Sequence, residues 1–196
     1  MKEIIPGLVY VPRYLSAEEE QRLTTTIDGL PWITDLRRRV QHYGYRYDYR
    51  ARAIDPTMHL GALPEWAAAL AERLHQDGCI GCVPDQLIVN EYEPGQGIAP
   101  HVDCIPCFGD TILSLSLGSA CVMTFEHIRQ GWQMTQLLEA GSLLVMRGEA
   151  RYEWKHGIPA RKTDDHNGQR LARARRLSLT FRKVVAQEVQ NSEAME

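Results

Sequence analysis

Arg176-Leu177-Ser178-Leu179-Thr180-Phe181-Arg182 alternates polar and apolar side chains without a break. An extended strand sends successive side chains to opposite faces. Leu177, Leu179 and Phe181 therefore share one face, expected to pack in a core between sheets. Arg176, Ser178, Thr180 and Arg182 share the other. Two arginines on the inner face of a barrel are costly unless something partners them. The bland alternative is an edge strand with a solvated polar face.

Upstream of this strand the sequence reads as a series of short β segments. Leu87–Tyr92 is β-rich and is followed by the turn Pro94-Gly95-Gln96-Gly97. Thr111–Leu117, Cys121–Phe125, Gln133–Leu138, Ser142–Met146 and Tyr152–His156 follow, punctuated by Gly118, Gly131 and Gly141. Pro159–Ala174 is polar and charged and reads as a long loop. Before the strands, Ser16-Ala17-Glu18-Glu19 has the form of a capping box and predicts a helix to about Leu30. Leu63, Trp66, Ala67 and Leu70 recur at helical spacing and predict a second helix, from Pro64 to Gly78. The expected class is mainly β with N-terminal helices (α+β), an antiparallel sandwich or jelly roll. The expected organisation is one domain over residues 1–196.

Composition narrows the setting. No apolar run approaches the ~20 residues that cross a bilayer. The first residues, Met1-Lys2-Glu3-Ile4-Ile5-Pro6, lack a long apolar signal core, so a cytoplasmic location is expected. The net charge of -3 hides two basic stretches. Asp35 to Arg52 holds six arginines against two acids, and Arg147 to Lys183 holds eleven Lys/Arg against four acids. Such segments either present a basic face to a polyanion or are ordinary solvated surface.

Chemistry enters with His101-Val102-Asp103. Residues i and i+2 of a strand face the same way, so imidazole and carboxylate can converge on one point. A third ligand has to come from His42, His59, His75, His127, His156 or His166. His156 is best placed, at the end of a predicted strand and before Gly157, which permits close backbone approach. Two histidines and one carboxylate form the facial triad that holds non-haem Fe(II) with open positions. A dicarboxylate co-substrate would then partner the arginines of 176–182, because a guanidinium pairs bidentately with a carboxylate. Asn90 and Tyr92, two apart on one strand face, can hydrogen-bond a bound acid.

Asn90-x-Tyr92, Pro94-Gly95, His101-x-Asp103, the distant His156 and Arg176-x₅-Arg182 stand in the order found in the AlkB family of Fe(II)- and 2-oxoglutarate-dependent dioxygenases, and the chain resembles that family over roughly Pro84 to Val184. Pro84–Ile98, Ser114–Ser119, Ser142–Met146 and Arg151–Ile158 look especially like the branch that hydroxylates the tRNA wobble uridine. The resemblance implies a double-stranded β-helix. It implies Fe(II) on His101, Asp103 and His156, and 2-oxoglutarate with O₂ as co-substrates. It pairs Arg176 with the distal carboxylate of 2-oxoglutarate, places Arg182 near the chelating end, and makes Asn90 and Tyr92 the hydrogen-bonding pair. It also implies hydroxylation or oxidative dealkylation, with a nucleobase in DNA or RNA as the expected substrate. A protein or small-molecule substrate is the alternative within the same chemistry.

Two further patterns leave alternatives open. Cys79-Ile80-Gly81-Cys82 and Cys104-Ile105-Pro106-Cys107 have nearly the spacing of a four-thiolate zinc site, which would suit a non-enzymatic binding module. They also suit buried thiols packing as small hydrophobes. Tyr43, Tyr45, Tyr47 and Tyr49 alternate with other residues. As a strand they would line one face with phenol rings, for base stacking or for packing on the barrel.

Overall fold

The computed structural model describes residues 5–34 and 37–185. In chain order the elements begin with β1 (Leu8–Val11), α1 (Ala17–Asp28), β2 (Val40–Tyr43), α2 (Glu65–Gln76), β3 (Gln86–Tyr92) and β4 (Ile98–His101). Then come β5 (Phe108–Gly118), β6 (Cys121–His127), β7 (Gln133–Leu138), β8 (Leu143–Arg147), α3 (Glu149–Tyr152) and β9 (Trp154–Ile158). The last are β10 (Thr163–His166), β11 (Gln169–Ala172) and β12 (Arg176–Val184). A six-stranded sheet has the order β1-β8-β5-β12-β3-β2, and a four-stranded sheet the order β4-β9-β6-β7. All the pairings are antiparallel. This is the mainly β jelly roll expected from the sequence.

Both expected helices form. Ser16 caps α1 with a reciprocal capping box: its hydroxyl accepts from the Glu19 amide while the Glu19 carboxylate accepts from the Ser16 amide. α2 starts just after Pro64. Leu70, Ala71 and Leu74 of α2 and Ile27 of α1 pack on Leu87, Val89, Leu115, Leu177, Leu179 and Phe181. The apolar face of β12 thus lies against the helices and not, as expected, between the sheets. The inter-sheet layer is a second cluster, including Ile112, Met123, Phe125, Leu144, Met146 and Trp154. Removing the helices from the outside would expose a fully apolar sheet face, so they free the inner face to be polar.

Three local expectations need correcting. Pro159–Ala174 is not a structureless loop but carries the β10–β11 hairpin. Asp164, buried, accepts two hydrogen bonds from Arg173, at 2.6 and 2.8 Å, one from Arg161 and one from the Val122 amide. That ionic staple, rather than apolar periodicity, ties the hairpin to β6. Asp164→Ala leaves the buried Arg173 without a counter-charge, which costs ~3–5 kcal/mol and lowers Tm on the order of 10 °C. Calorimetry showing a shift of only a degree or two would refute this. Secondly, α3 occupies Tyr152, so the strand carrying His156 begins at Trp154. Thirdly, the alternating tyrosines do not form one strand. Only Tyr43 belongs to β2, and its ring packs edge-on against Trp66, on the helix side. Tyr45, Tyr47 and Tyr49 follow irregular backbone.

Candidate active site

His101 is the last residue of β4, and its Cα partner across the ladder is His156 of β9. The imidazole ring centroids are 4.5 Å apart. Asp103 follows two residues after His101, and the ligand atoms of all three residues lie within 4.8 Å of one another. Their pairing depends on Gly157. A Cβ there would sit 2.9 Å from the Pro100 nitrogen and 3.0 Å from the Ile98 carbonyl oxygen. The glycine therefore admits the irregular Ile98–His101 backbone, refining the expectation that it serves close approach to a ligand. Gly157→Ala forces β4 outward by tenths of an ångström and carries His101 with it. Because ~1 Å of misplacement can cost ~100-fold, Fe(II) affinity in anaerobic titration is expected to fall about tenfold. Unchanged affinity would show that β4 absorbs the methyl elsewhere.

The electrostatics suit a divalent ion. Burial opposes ionisation of Asp103, but the Arg182 guanidinium beside it outweighs that and holds the carboxyl well below the usual range. Arg182 Nη2 donates to Asp103 Oδ1 at 2.6 Å, while Oδ2 is buried with no hydrogen-bond partner. Burial and the neighbouring His101 push His156 down to about 3, so its imidazole is neutral and has a lone pair to give. His101 Nδ1 sits 2.9 Å from the Ala99 carbonyl. With the proton there, Nε2 is left as the ligand atom, the usual way a backbone carbonyl orients a ligating histidine. An anionic oxygen without a partner beside two imidazoles is the donor set that a non-haem Fe(II) ion takes.

The strands beside the triad supply the rest. Pairing of β12 with β3 sets Arg176 opposite Tyr92, Ser178 opposite Asn90 and Arg182 opposite Gln86. Every one of these side chains belongs to the inner face. Arg176 is almost fully buried. Its Nη2 donates to Ser116 Oγ at 2.8 Å, but Nε and Nη1 have no hydrogen-bond partner among the described residues. Arg182 is mostly engaged by Asp103 and Gln86, with only Nε unpaired. The two arginines sit ~20 Å apart along the strand and so serve opposite ends of one site. Asn90 accepts a hydrogen bond from Arg38 at 2.9 Å through Oδ1.

A cavity of about 410 Å³ opens over the triad and is lined also by Tyr47, Tyr49, Asn90, Tyr92, Ser178 and Arg182. Arg176 lines a narrower crevice that shares Tyr92 and Ile158 with it. Tyr47 and Tyr49, edge to face at 5.1 Å, also wall a second hollow with His42, Arg46 and Arg50.

All seven residues singled out from the sequence therefore gather around one cavity and its adjoining crevice. Sequence reading passed over Ser116, Gln86, Arg38 and Arg151. Ser116 had a signal, the alternation Ser114-Leu115-Ser116-Leu117 on the neighbouring strand. Arg151 stands in a stretch that carries the resemblance but with no pattern that marks its role: it is buried and donates to the carbonyls of Asp103 and Cys104, at 3.0 and 3.2 Å, holding that loop from a distant helix.

The two cysteine pairs do not share a site. Cys104 and Cys107 are disulfide-bonded in the inter-sheet cluster, whereas Cys79 packs on the helix side and Cys82 is exposed. The sheet separates them, so the four-thiolate zinc reading is excluded.

A family profile described as the 2OG-Fe(II) oxygenase superfamily matches residues 29–182. The mouse protein named tRNA (carboxymethyluridine(34)-5-O)-methyltransferase ALKBH8 is 39% identical over 94% of this chain but only 31% of its own length. An Arabidopsis thaliana relative, named Alkylated DNA repair protein ALKBH8 homolog, is 37% identical over 92% of this chain and 59% of its own. This chain thus spans about a third to three fifths of those two proteins. Mouse alkB homolog 7, named an alpha-ketoglutarate-dependent dioxygenase, is 34% identical over 88% of this chain and 76% of its own length. The solved structure of OsALKBH1 superposes with a TM-score of 0.72 at 19% identity, covering 93% of this chain and 99% of that one, a likeness of fold. The chain belongs to the 2OG-Fe(II) oxygenase superfamily and is of AlkB type, a 2-oxoglutarate-dependent dioxygenase whose cofactors are Fe(II), 2-oxoglutarate and O₂.

Proposed function

We propose that this dioxygenase hydroxylates or oxidatively dealkylates a nucleobase, with Fe(II) on His101, Asp103 and His156. The observation that carries the substrate class is the rim of the cavity. Tyr47 and Tyr49 offer aromatic faces between two hollows. Arg38, Arg46, Arg50 and Arg52 surround them, and none of these four makes an ion pair among the described residues. Aromatic rings stack any base and unpaired arginines attract phosphates, the combination used for unstacked or single-stranded nucleotides. The names of the mouse and Arabidopsis relatives, which refer to tRNA and to alkylated DNA, point the same way.

Fe(II) with 2-oxoglutarate and O₂ supplies the oxidising power for a C–H bond, releasing succinate and CO₂. The chain's own residues do the positioning. Arg176 would receive the distal carboxylate of 2-oxoglutarate at its guanidinium, two of whose donors otherwise lie buried without a hydrogen-bond partner among the described residues. Asn90 and Tyr92 would hydrogen-bond the same molecule, and Arg182 fixes Asp103. Arg38 holds Asn90 in place. The buried walls exclude water from the reacting carbon.

Succinate release across a panel of methylated DNA, RNA, tRNA and peptides tests the reading. Substrate-stimulated turnover on a nucleic acid is expected, falling steeply with salt because phosphate contacts carry much of the binding. Stimulation by peptides or small molecules alone would overturn it.

A further inference from the structure

Cys104 is covalently adjacent to Asp103 and lines the same cavity as the triad. Cys107 lies three residues on, and the two are joined in a disulfide. Both sulfurs are buried, with the Arg52 carbonyl oxygen 3.1 and 3.5 Å away. The loop that bears them is held by Arg151 through the carbonyls of Asp103 and Cys104, so it is braced whichever state the sulfurs are in.

A purely structural role explains little of this. The bond spans only two intervening residues, and a ring so small removes little entropy from the unfolded chain. Nor does a buried pair beside a metal ligand resemble a surface staple. Its place suits electron transfer better: Cys104 lines the cavity where oxidising equivalents are made, which also gives a route for exchange.

We propose that Cys104 and Cys107 form an internal dithiol that reduces the site when 2-oxoglutarate is consumed without a substrate to oxidise. In net terms 2-oxoglutarate, O₂ and the two thiols become succinate, CO₂, water and the Cys104–Cys107 disulfide. One oxygen atom of O₂ enters succinate. The other takes the two electrons and two protons released as the S–H bonds break and the S–S bond forms, and leaves as water. An external dithiol regenerates the pair by exchange. The proposal rests on the oxygenase chemistry and is independent of the substrate proposed above.

The test uses the full chain, reduced, freed of excess thiol without air and loaded with Fe(II). It is mixed with 2-oxoglutarate and O₂ in the absence of substrate and of added reductant. Remaining thiols are alkylated and located by peptide mass. Cys104 and Cys107 are expected to escape alkylation together, about one disulfide forming per succinate in the first turnover, while Cys79 and Cys82 stay alkylated. Omitting 2-oxoglutarate should leave Cys104 and Cys107 open to alkylation over the same time. The double variant C104S/C107S should instead accumulate ferric iron, seen by paramagnetic resonance, at several times the wild-type rate. Succinate formed with both thiols still alkylated would overturn the proposal. So would disulfide formation at the same rate without 2-oxoglutarate. Both outcomes are read on the wild-type protein, so neither depends on how the variant folds.

Discussion

Asp103→Ala is expected to abolish Fe(II)- and 2-oxoglutarate-dependent succinate formation, a loss of more than ~100-fold. Asp103 supplies the only anionic oxygen in the triad. Its Oδ2 accepts no hydrogen bond among the described residues and lies 3.6 Å from His156 Nε2, beside the second imidazole of the triad. The variant should also lack the weak absorption band that Fe(II) and 2-oxoglutarate give together under anaerobic conditions. A second consequence separates this position from either histidine. Asp103 is the ion-pair partner of buried Arg182, 2.6 Å away. Removing the carboxylate strands a charge and should cost ~3–5 kcal/mol of stability before any metal is added. His101→Ala should lose iron with no comparable loss of stability, since His101 makes no ion pair among the described residues. Metal-dependent turnover within a few fold of wild type in Asp103→Ala would refute the assignment.

Arg176→Met is expected to raise KM for 2-oxoglutarate by ~100- to 1000-fold. The charge-assisted hydrogen bonds of the guanidinium to the carboxylate are removed, each worth ~1.5–3 kcal/mol. Fe(II) binding in the absence of co-substrate should be unchanged, because among the described residues Arg176 hydrogen-bonds Ser116 and sits over the Tyr92 ring, not on any member of the triad. The sign of the stability effect is the sharper test. A buried guanidinium with two unpaired donors destabilises the protein without co-substrate, and an apolar side chain of similar length removes that cost. Arg176→Met should therefore be more stable than wild type by ~1–3 kcal/mol in the absence of 2-oxoglutarate. It should also lose the thermal stabilisation that saturating 2-oxoglutarate confers on wild type. An unaltered KM would remove Arg176 from the co-substrate site.

Both predictions concern residues that stood out before any coordinates, and the reason is local. Period-two alternation in 176–182 fixes which side chains share a face, whatever sheet the strand joins. His101 and Asp103 converge because they are two residues apart. The capping box at Ser16–Glu19 acts within four residues. Failures came where the deciding contact was distant. The hairpin in 159–174 is tied by Asp164 to the Val122 amide, forty-two residues away, and its charged sequence carries no apolar signal. Tyr43–Tyr49 alternates as a strand should, yet among the described residues only Tyr43 lies in a strand ladder, beside β3; Tyr47 and Tyr49 turn to the cavity instead.

The sequence by itself determined the chemistry, because ligand types, arginine spacing and strand period are properties of short stretches. The tertiary structure decided how His156, already the best-placed third histidine, is brought to the site, which way the polar face of β12 looks and the fate of the cysteines. His156 joins His101 and Asp103 because the β4–β9 register sets it opposite His101, and Gly157 lets those backbones meet. The arginines face inward because α1 and α2 cover the apolar side of the sheet. The two Cys-x-x-Cys pairs, alike in spacing, are parted by that same sheet. Each of these outcomes depends on strands that pair across dozens of residues, and the cost of ordering them is met only by burial that the completed fold supplies.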